Sequence, residues 1–164
     1  MNASLPATLI KDAFSCTPQN FTETAIKVFN FQYQNNTVYR TYCEILKTNP
    51  AEVTTVEQIP FLPIQFFKSK QITTTEFEPT VIFESSGTTG SINSKHFVKD
   101  LAVYEESFIT NFRQFYGDEK ELCIIGLLPS YLERSGSSLV YMVDDLIKNQ
   151  DTKPVDFIYT IMEN

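Results

Sequence analysis

The chain has 164 residues, room for one domain with a real core and too few for two ordinary ones. Apolar residues make up 42% and charged residues 20%, a soluble globular composition in which 14 Phe, 8 Tyr and no Trp point to an aromatic-rich core or an apolar pocket. A net charge of −7 argues against binding a nucleic-acid backbone or an anionic membrane face, since both need clustered basic residues; it serves solubility.

The N-terminus, "MNASLPATLIKDAF", lacks a basic start followed by an apolar run, so it is not a secretory signal. No stretch approaches the roughly 18 apolar residues of a spanning helix. Cys16, Cys43 and Cys123 are widely spaced, with no CxxC pair. They read as reduced thiols of a cytoplasmic protein, each a small buried apolar residue rather than part of a disulfide framework or zinc site.

Residues 4–16 predict a short helix. Residues 21–47 predict mostly helix, with Thr22 as a cap and Ala25, Val28, Phe29, Tyr33, Val38, Tyr42, Ile45 and Leu46 at helical spacing. The "QNN" at 34–36 separates two helices, and Pro50 ends this part. Within 53–68, Pro60 and Pro63 bar a continuous helix. Ile59, Phe61, Leu62, Ile64, Phe66 and Phe67 are costly to leave in water, so this segment is expected to lie flat over the core.

Two short strands are expected at 80–83 and 95–98. Asp100 is placed to cap a helix that runs to about Phe115 and stops at Gly117. The "LCIIGLL" run at 122–128 has the pattern of a strand buried on both faces, stopped by Pro129. A last helix follows over 137–148, with Leu139, Val140, Val143, Leu146 and Ile147 inward. Strands alternating with helices predict an α/β fold: N-terminal helices, then a partial, largely parallel sheet flanked by helices. The expected organisation is a helical segment at 1–50, a Pro-interrupted apolar connector at 51–78 and an α/β segment at 79–164, all one incomplete domain.

Between the first two strands lies "SSGTTGSINSK", which holds two of the chain's five glycines, Gly87 and Gly90. Glycine lets backbone N–H groups curl around a phosphate, Ser and Thr hydroxyls add donors, and a closing lysine adds a full charge. Ser85, Ser86, Gly87, Thr88, Thr89, Gly90, Ser91, Ser94 and Lys95 supply all of these. The loop is not a Walker A motif, because Gly90 is followed by Ser91 and no helix follows Lys95. An ordinary hairpin connection has the same composition, and composition alone leaves the two readings level.

"SSGTTG" followed by a Ser-Lys pair resembles the phosphate-binding motif of adenylate-forming enzymes. Together with "IPFLPIQFFKS" at 59–69 and "GLLPSYLERSGSSLVYMVDDLI" at 126–147, in that order, it is similar to the acyl-protein synthetases of the LuxE type. The similarity runs from about residue 20 to 148 and matches the N-terminal part of a longer family member. The resemblance implies that ATP and Mg2+ activate a fatty acid as an acyl-adenylate, which then passes to a protein thiol. It gives the loop 85–95 the β- and γ-phosphates and Lys95 the closing lysine. Two departures are Ser94, where the family often has Pro, and a longer glycine-to-lysine spacing.

The loop supplies no adenine pocket and no acyl-accepting nucleophile. In the family those pieces lie further C-terminal, so none of the three cysteines is given that role and the catalytic residues stay unassigned. The chain is therefore expected to be the N-terminal part of the ligase. Tyr131, Glu133, Arg134 and the stretch from Ser135 to Ser138, with Ser137 in it, are candidates for the wall of an acyl or nucleotide pocket. The alternative is a helix cap for the serines and a surface ion pair for Arg134. His96, the only histidine, reads as structural, and Asp144 and Asp145 as a solvated helix face rather than a metal pair. The competing expectation for the whole chain is a non-catalytic phosphate- or acyl-binding module. Such a subunit would assemble with a protein partner that covers the edges of an incomplete sheet.

Overall fold

Asn20 turns the chain sharply before the first long helix. Its carboxamide oxygen accepts from the backbone N–H of Thr17 at 2.6 Å, closing a side-chain turn ahead of the helix. In the computed structural model, which describes residues 7–85, 92–126 and 136–150, this turn joins α1 (Ala7–Phe14) to α2 (Phe21–Asn35). Thr22, expected as the cap, lies one residue inside α2; Asn20 holds the cap position without capping through its side chain. Lys27 ties the two helices, 3.5 Å from Asp12 and 2.9 Å from Glu23.

The break expected at 34–36 is a single extended residue. Asn36 stands at φ −110° and ψ 105°, and its side chain accepts from the Tyr39 N–H at 3.0 Å to start α3 (Thr37–Ile45). This turn folds α3 back on α2, so that Phe29, Tyr39, Cys43 and Val53 bury together. The Phe29 and Tyr39 rings meet edge-on, 6.1 Å apart at 86°. Each such side chain contributes roughly 1.5–3 kcal/mol by leaving water.

The connector then crosses this core. Two short 3-10 turns, Pro50–Glu52 and Val56–Gln58, lead into the two-proline stretch and the short helix α4 (Phe66–Ser69). The Tyr39 hydroxyl donates to the Pro60 carbonyl at 2.7 Å, and Ile59 and Leu62 pack on the core. Phe61 and Ile64 do not, being 71% and 76% exposed. With φ set at both prolines, so short a segment cannot turn every apolar side chain inward.

Residues 71–80 run back along α2. The Thr74 hydroxyl bonds the Gln32 side chain, and the Thr75 N–H donates to the Asn35 carbonyl at 3.0 Å. These bonds hold Thr75 at φ 72°, a costly angle for a β-branched residue.

β1 (Val81–Glu84) and β2 (Lys95–Val98) follow as an antiparallel pair, in register from Val81 opposite Val98 to Glu84 opposite Lys95. The largely parallel sheet expected from the strand-helix alternation is absent among the described residues. The reason is the link: 85–94 is ten residues long, while a parallel crossover needs about a dozen or more. Residues 122–126, expected as the start of a third strand, join no ladder; the Ile124 N–H donates instead to the Gln150 side chain at 2.7 Å. The rest of that stretch lies outside the described residues.

α5 (Leu101–Tyr116) begins and ends as its sequence predicts. Asp100 accepts from the Ala102 N–H at 3.0 Å, and Gly117 stops the helix at φ 86°. Just beyond, Glu119 is only 2% exposed and is held in a fork by Arg113, at 2.7 Å and 2.5 Å. α6 (Ser138–Asn149) packs across α5, where the Tyr104 hydroxyl donates to the Ser138 carbonyl at 2.9 Å. The Phe83 ring lies 5.1 Å from Tyr104 and 5.7 Å from Tyr141, so β1, α5 and α6 share an aromatic core. The fold is thus helix-rich mixed α/β.

Two stability predictions follow from these contacts. The Arg113 hydrogen bonds hold the Glu119 carboxyl below its ordinary value of 4.5. A depressed folded value means that the pair stabilises above about pH 4.5 and that this contribution is lost as pH falls through the folded value. Glu119→Gln is expected to cost about 2 kcal/mol near neutral pH and to flatten the loss of stability on acidification. Urea unfolding of both proteins at neutral and acid pH measures this. Ser137 accepts from the Val140 N–H at 3.3 Å as the cap of α6. Ser137→Ala is expected to cost about 1 kcal/mol and to speed hydrogen exchange at the Val140 amide.

Candidate functional site

The β1–β2 hairpin delivers the hydroxyl-rich loop. At its mouth the Ser85 N–H donates to the Ser94 carbonyl at 3.0 Å, and the Ser94 N–H donates to the Ser85 hydroxyl, also at 3.0 Å. The two ends of the loop are therefore pinned together. Ser86, Gly87, Thr88, Thr89, Gly90 and Ser91 lie outside the described residues. Lys95, the first residue of β2, stands opposite Glu84 with Nζ 3.4 Å from its Oε1, and both side chains are about half exposed. Asn93 reaches the other oxygen of Glu84 at 3.4 Å.

The second candidate stretch comes to the same place. The Glu84 N–H donates to the Gly136 carbonyl at 2.7 Å. The position of a Cβ on Gly136 is 3.6 Å from the Ile82 carbonyl and 3.7 Å from the Glu84 side chain. Glu84 thus has Lys95 on one side and the start of α6 on the other. Tyr131, Glu133, Arg134 and Ser135 lie outside the described residues, while Ser137 serves as the α6 cap. No sequence signal paired Gly136 with Glu84, because the bond between them is long-range and runs through the backbone.

His96 stacks on Phe67, ring centroids 6.4 Å apart and planes 10° from parallel, which ties α4 to β2. Asp144 pairs with Lys148 at 2.5 Å, and Asp145 accepts from Asn149 at 2.9 Å. Burial, then the nearby Glu105, push the Asp145 carboxyl up. Cys43 is fully buried, and burial pushes its thiol up. Cys16 is half-buried, and Cys123, expected inside, is exposed. Its segment has no ladder partner to cover it.

Beside the hairpin opens an apolar cavity of about 1580 Å³, walled by α1, α2, the connector, residues 72–77, β2 and the start of α5. Among the described residues no group of three or more His, Cys, Asp or Glu side chains is placed to hold a metal ion. No helix among them is long and apolar enough to cross a membrane. Serine donors and a lysine at the hairpin mouth suit a polyphosphate. The Glu84 carboxylate beside them is of the kind Mg2+ takes together with phosphate oxygens.

Searches of curated proteins and of solved structures each return no match. The family model described as "Acyl-protein synthetase, LuxE" matches residues 17–133, which include α2, α3, the connector, the whole hairpin and α5. With most of its length matched and the hydroxyl-rich loop carried on the hairpin within that match, the chain belongs to the LuxE acyl-protein synthetase family.

Proposed function

We propose that this chain carries the nucleotide-loop part of an ATP-dependent fatty-acid activation in the cytoplasm. The product is an acyl-adenylate, whose acyl group passes to the thiol of a protein acceptor. The observation that carries this reading is the convergence at Glu84 of the hairpin mouth with the Gly136 end of the second candidate stretch.

ATP supplies the electrophilic α-phosphorus and the pyrophosphate leaving group. A carboxylate oxygen forms the new P–O bond, and the bond to pyrophosphate breaks. Both partners are anions, so the protein's task is positioning and charge neutralisation; no general base is needed, since the carboxylate is already ionised. Ser85 and the residues 86–91 donate to the β- and γ-phosphates. Lys95 neutralises the departing charge, and the nearby start of α6 adds the positive end of a helix dipole. Glu84 holds Lys95 in place beside the loop. The acceptor thiol is assigned to no cysteine of this chain.

A second reading, a non-catalytic binding subunit, is favoured by Phe61, Ile64 and Phe115, which are 71%, 76% and 71% exposed. Side chains of this size at such exposure suit a surface that further protein chain covers.

Fatty-acid-dependent exchange of pyrophosphate into ATP by the natural protein separates the two. We expect exchange in the wild type and a fall of about 100-fold or more in Thr88→Ala combined with Lys95→Ala. Exchange that survives this double change unaltered sinks the loop assignment. A wild type that binds ATP without exchange supports the binding subunit.

A further inference from the structure

The apolar cavity beside the hairpin has no part in the loop chemistry. Its walls include Ala25 and Val28 of α2, Ile72 and Phe77 of the returning segment, Phe97 of β2 and Val103 of α5. Its volume, about 1580 Å³, exceeds the ~300–1,000 Å³ usual for compact ligands and leaves room for an elongated one.

Four of the polar side chains along the walls are already engaged within the protein. Gln32 bonds Thr74, Asn36 accepts from the Tyr39 N–H, the Tyr39 hydroxyl donates to Pro60 and the Tyr104 hydroxyl donates to Ser138. A protein segment laid in this cavity would bring a backbone N–H and C=O at every residue, each needing a partner. A hydrocarbon chain brings none and gains from every apolar wall it covers.

The wall also has a polar side. His96 and Lys99 are exposed residues of the β2 wall, and Lys99 sits 5.9 Å from the Phe77 ring centroid. His96 directly follows Lys95, about 3.3 Å further along the strand, with the two side chains on opposite faces of it. The edge of the cavity therefore lies one residue from the lysine of the hairpin mouth.

We propose that this cavity binds the hydrocarbon chain of a long-chain fatty acid. The carboxyl end lies at the His96 edge beside the hairpin, and the methyl end lies against Ala25 and Val28 of α2. The proposal rests on the acid substrate of the proposed function but assigns it a place. It makes α2 the element that sets chain length, since a larger side chain at position 25 or 28 shortens the space.

The test uses a sixteen-carbon fatty acid with a mid-chain diazirine, photolysed on the natural protein and mapped by peptide mass. Label is expected on α2 and on residues 72–77, and excess hexadecanoic acid is expected to suppress it. Ala25→Phe and Val28→Phe are each expected to weaken binding of the sixteen-carbon acid about tenfold while octanoic acid still binds. Retained octanoic acid binding shows that the variant is folded. Label confined to other elements, label that hexadecanoic acid does not suppress, or no binding by the wild type overturns the proposal. Unchanged affinity for the long acid in both variants overturns it as well. Labelling needs no ATP, so the site stands on label at α2 even where pyrophosphate exchange fails, and exchange without label at α2 refutes the site alone.

Discussion

The register of the β1–β2 hairpin is the constraint on which the other contacts near the site depend. Setting Glu84 opposite Lys95 brings Ser85 and Ser94 together, so the loop leaves and re-enters from one closed mouth. The same register puts Phe83 into the aromatic group with Tyr104 and Tyr141, and places His96 where Phe67 stacks on it. A slip of one residue turns every side chain of a strand to the other face. It would undo the α5–α6 packing, the tie to α4 and the pairing of Lys95 together. The strands that carry the two ends of the loop are therefore held by two cores at once.

The helical half solves a different problem. Its connector carries two prolines and a dense set of apolar residues, and it cannot bury them all. The Tyr39 hydroxyl anchors it at Pro60, burial of Ile59 and Leu62 fastens it, and Phe61 and Ile64 are left outside. The returning segment 71–80 is tied to the last turn of α2 through Gln32 and Asn35. Between these two ties the walls stand apart, and the apolar cavity is the space between them. The strained Thr75 is the visible cost of holding the segment there.

Charge is used sparingly at the loop. Over the whole chain the balance is −7, yet the hairpin mouth keeps a lysine and several neutral donors. Glu84 offsets the charge of Lys95 without burying it, since both side chains remain about half exposed. Such a pair adds little to stability, and its effect is on where the ammonium sits. Arg113 and Glu119 show the opposite arrangement: there the carboxylate is buried, and the fork closes the end of α5.

Much of the local structure was legible in the sequence because its causes are local. Asp100 and Gly117 bound α5, Ser137 starts α6 and Asn36 breaks the helical run, since caps and turns act within a few residues. The family resemblance was legible too, because "SSGTTG" and its flanking segments are contiguous. The partners of strands are not local. The apolar run at 122–128 looked like a central strand, but no ladder takes up its described part, and Cys123 and Ile125 stay exposed. Among the described residues the two paired strands form a hairpin rather than part of a parallel sheet, because ten residues cannot carry a crossover. Sequence alone determined the longer helices, the hydroxyl-rich stretch between the strands and the family resemblance. Only tertiary structure decided that Gly136 meets Glu84 at the hairpin mouth and that an apolar cavity opens one residue from Lys95, since both join residues far apart in the chain through packing and backbone bonds.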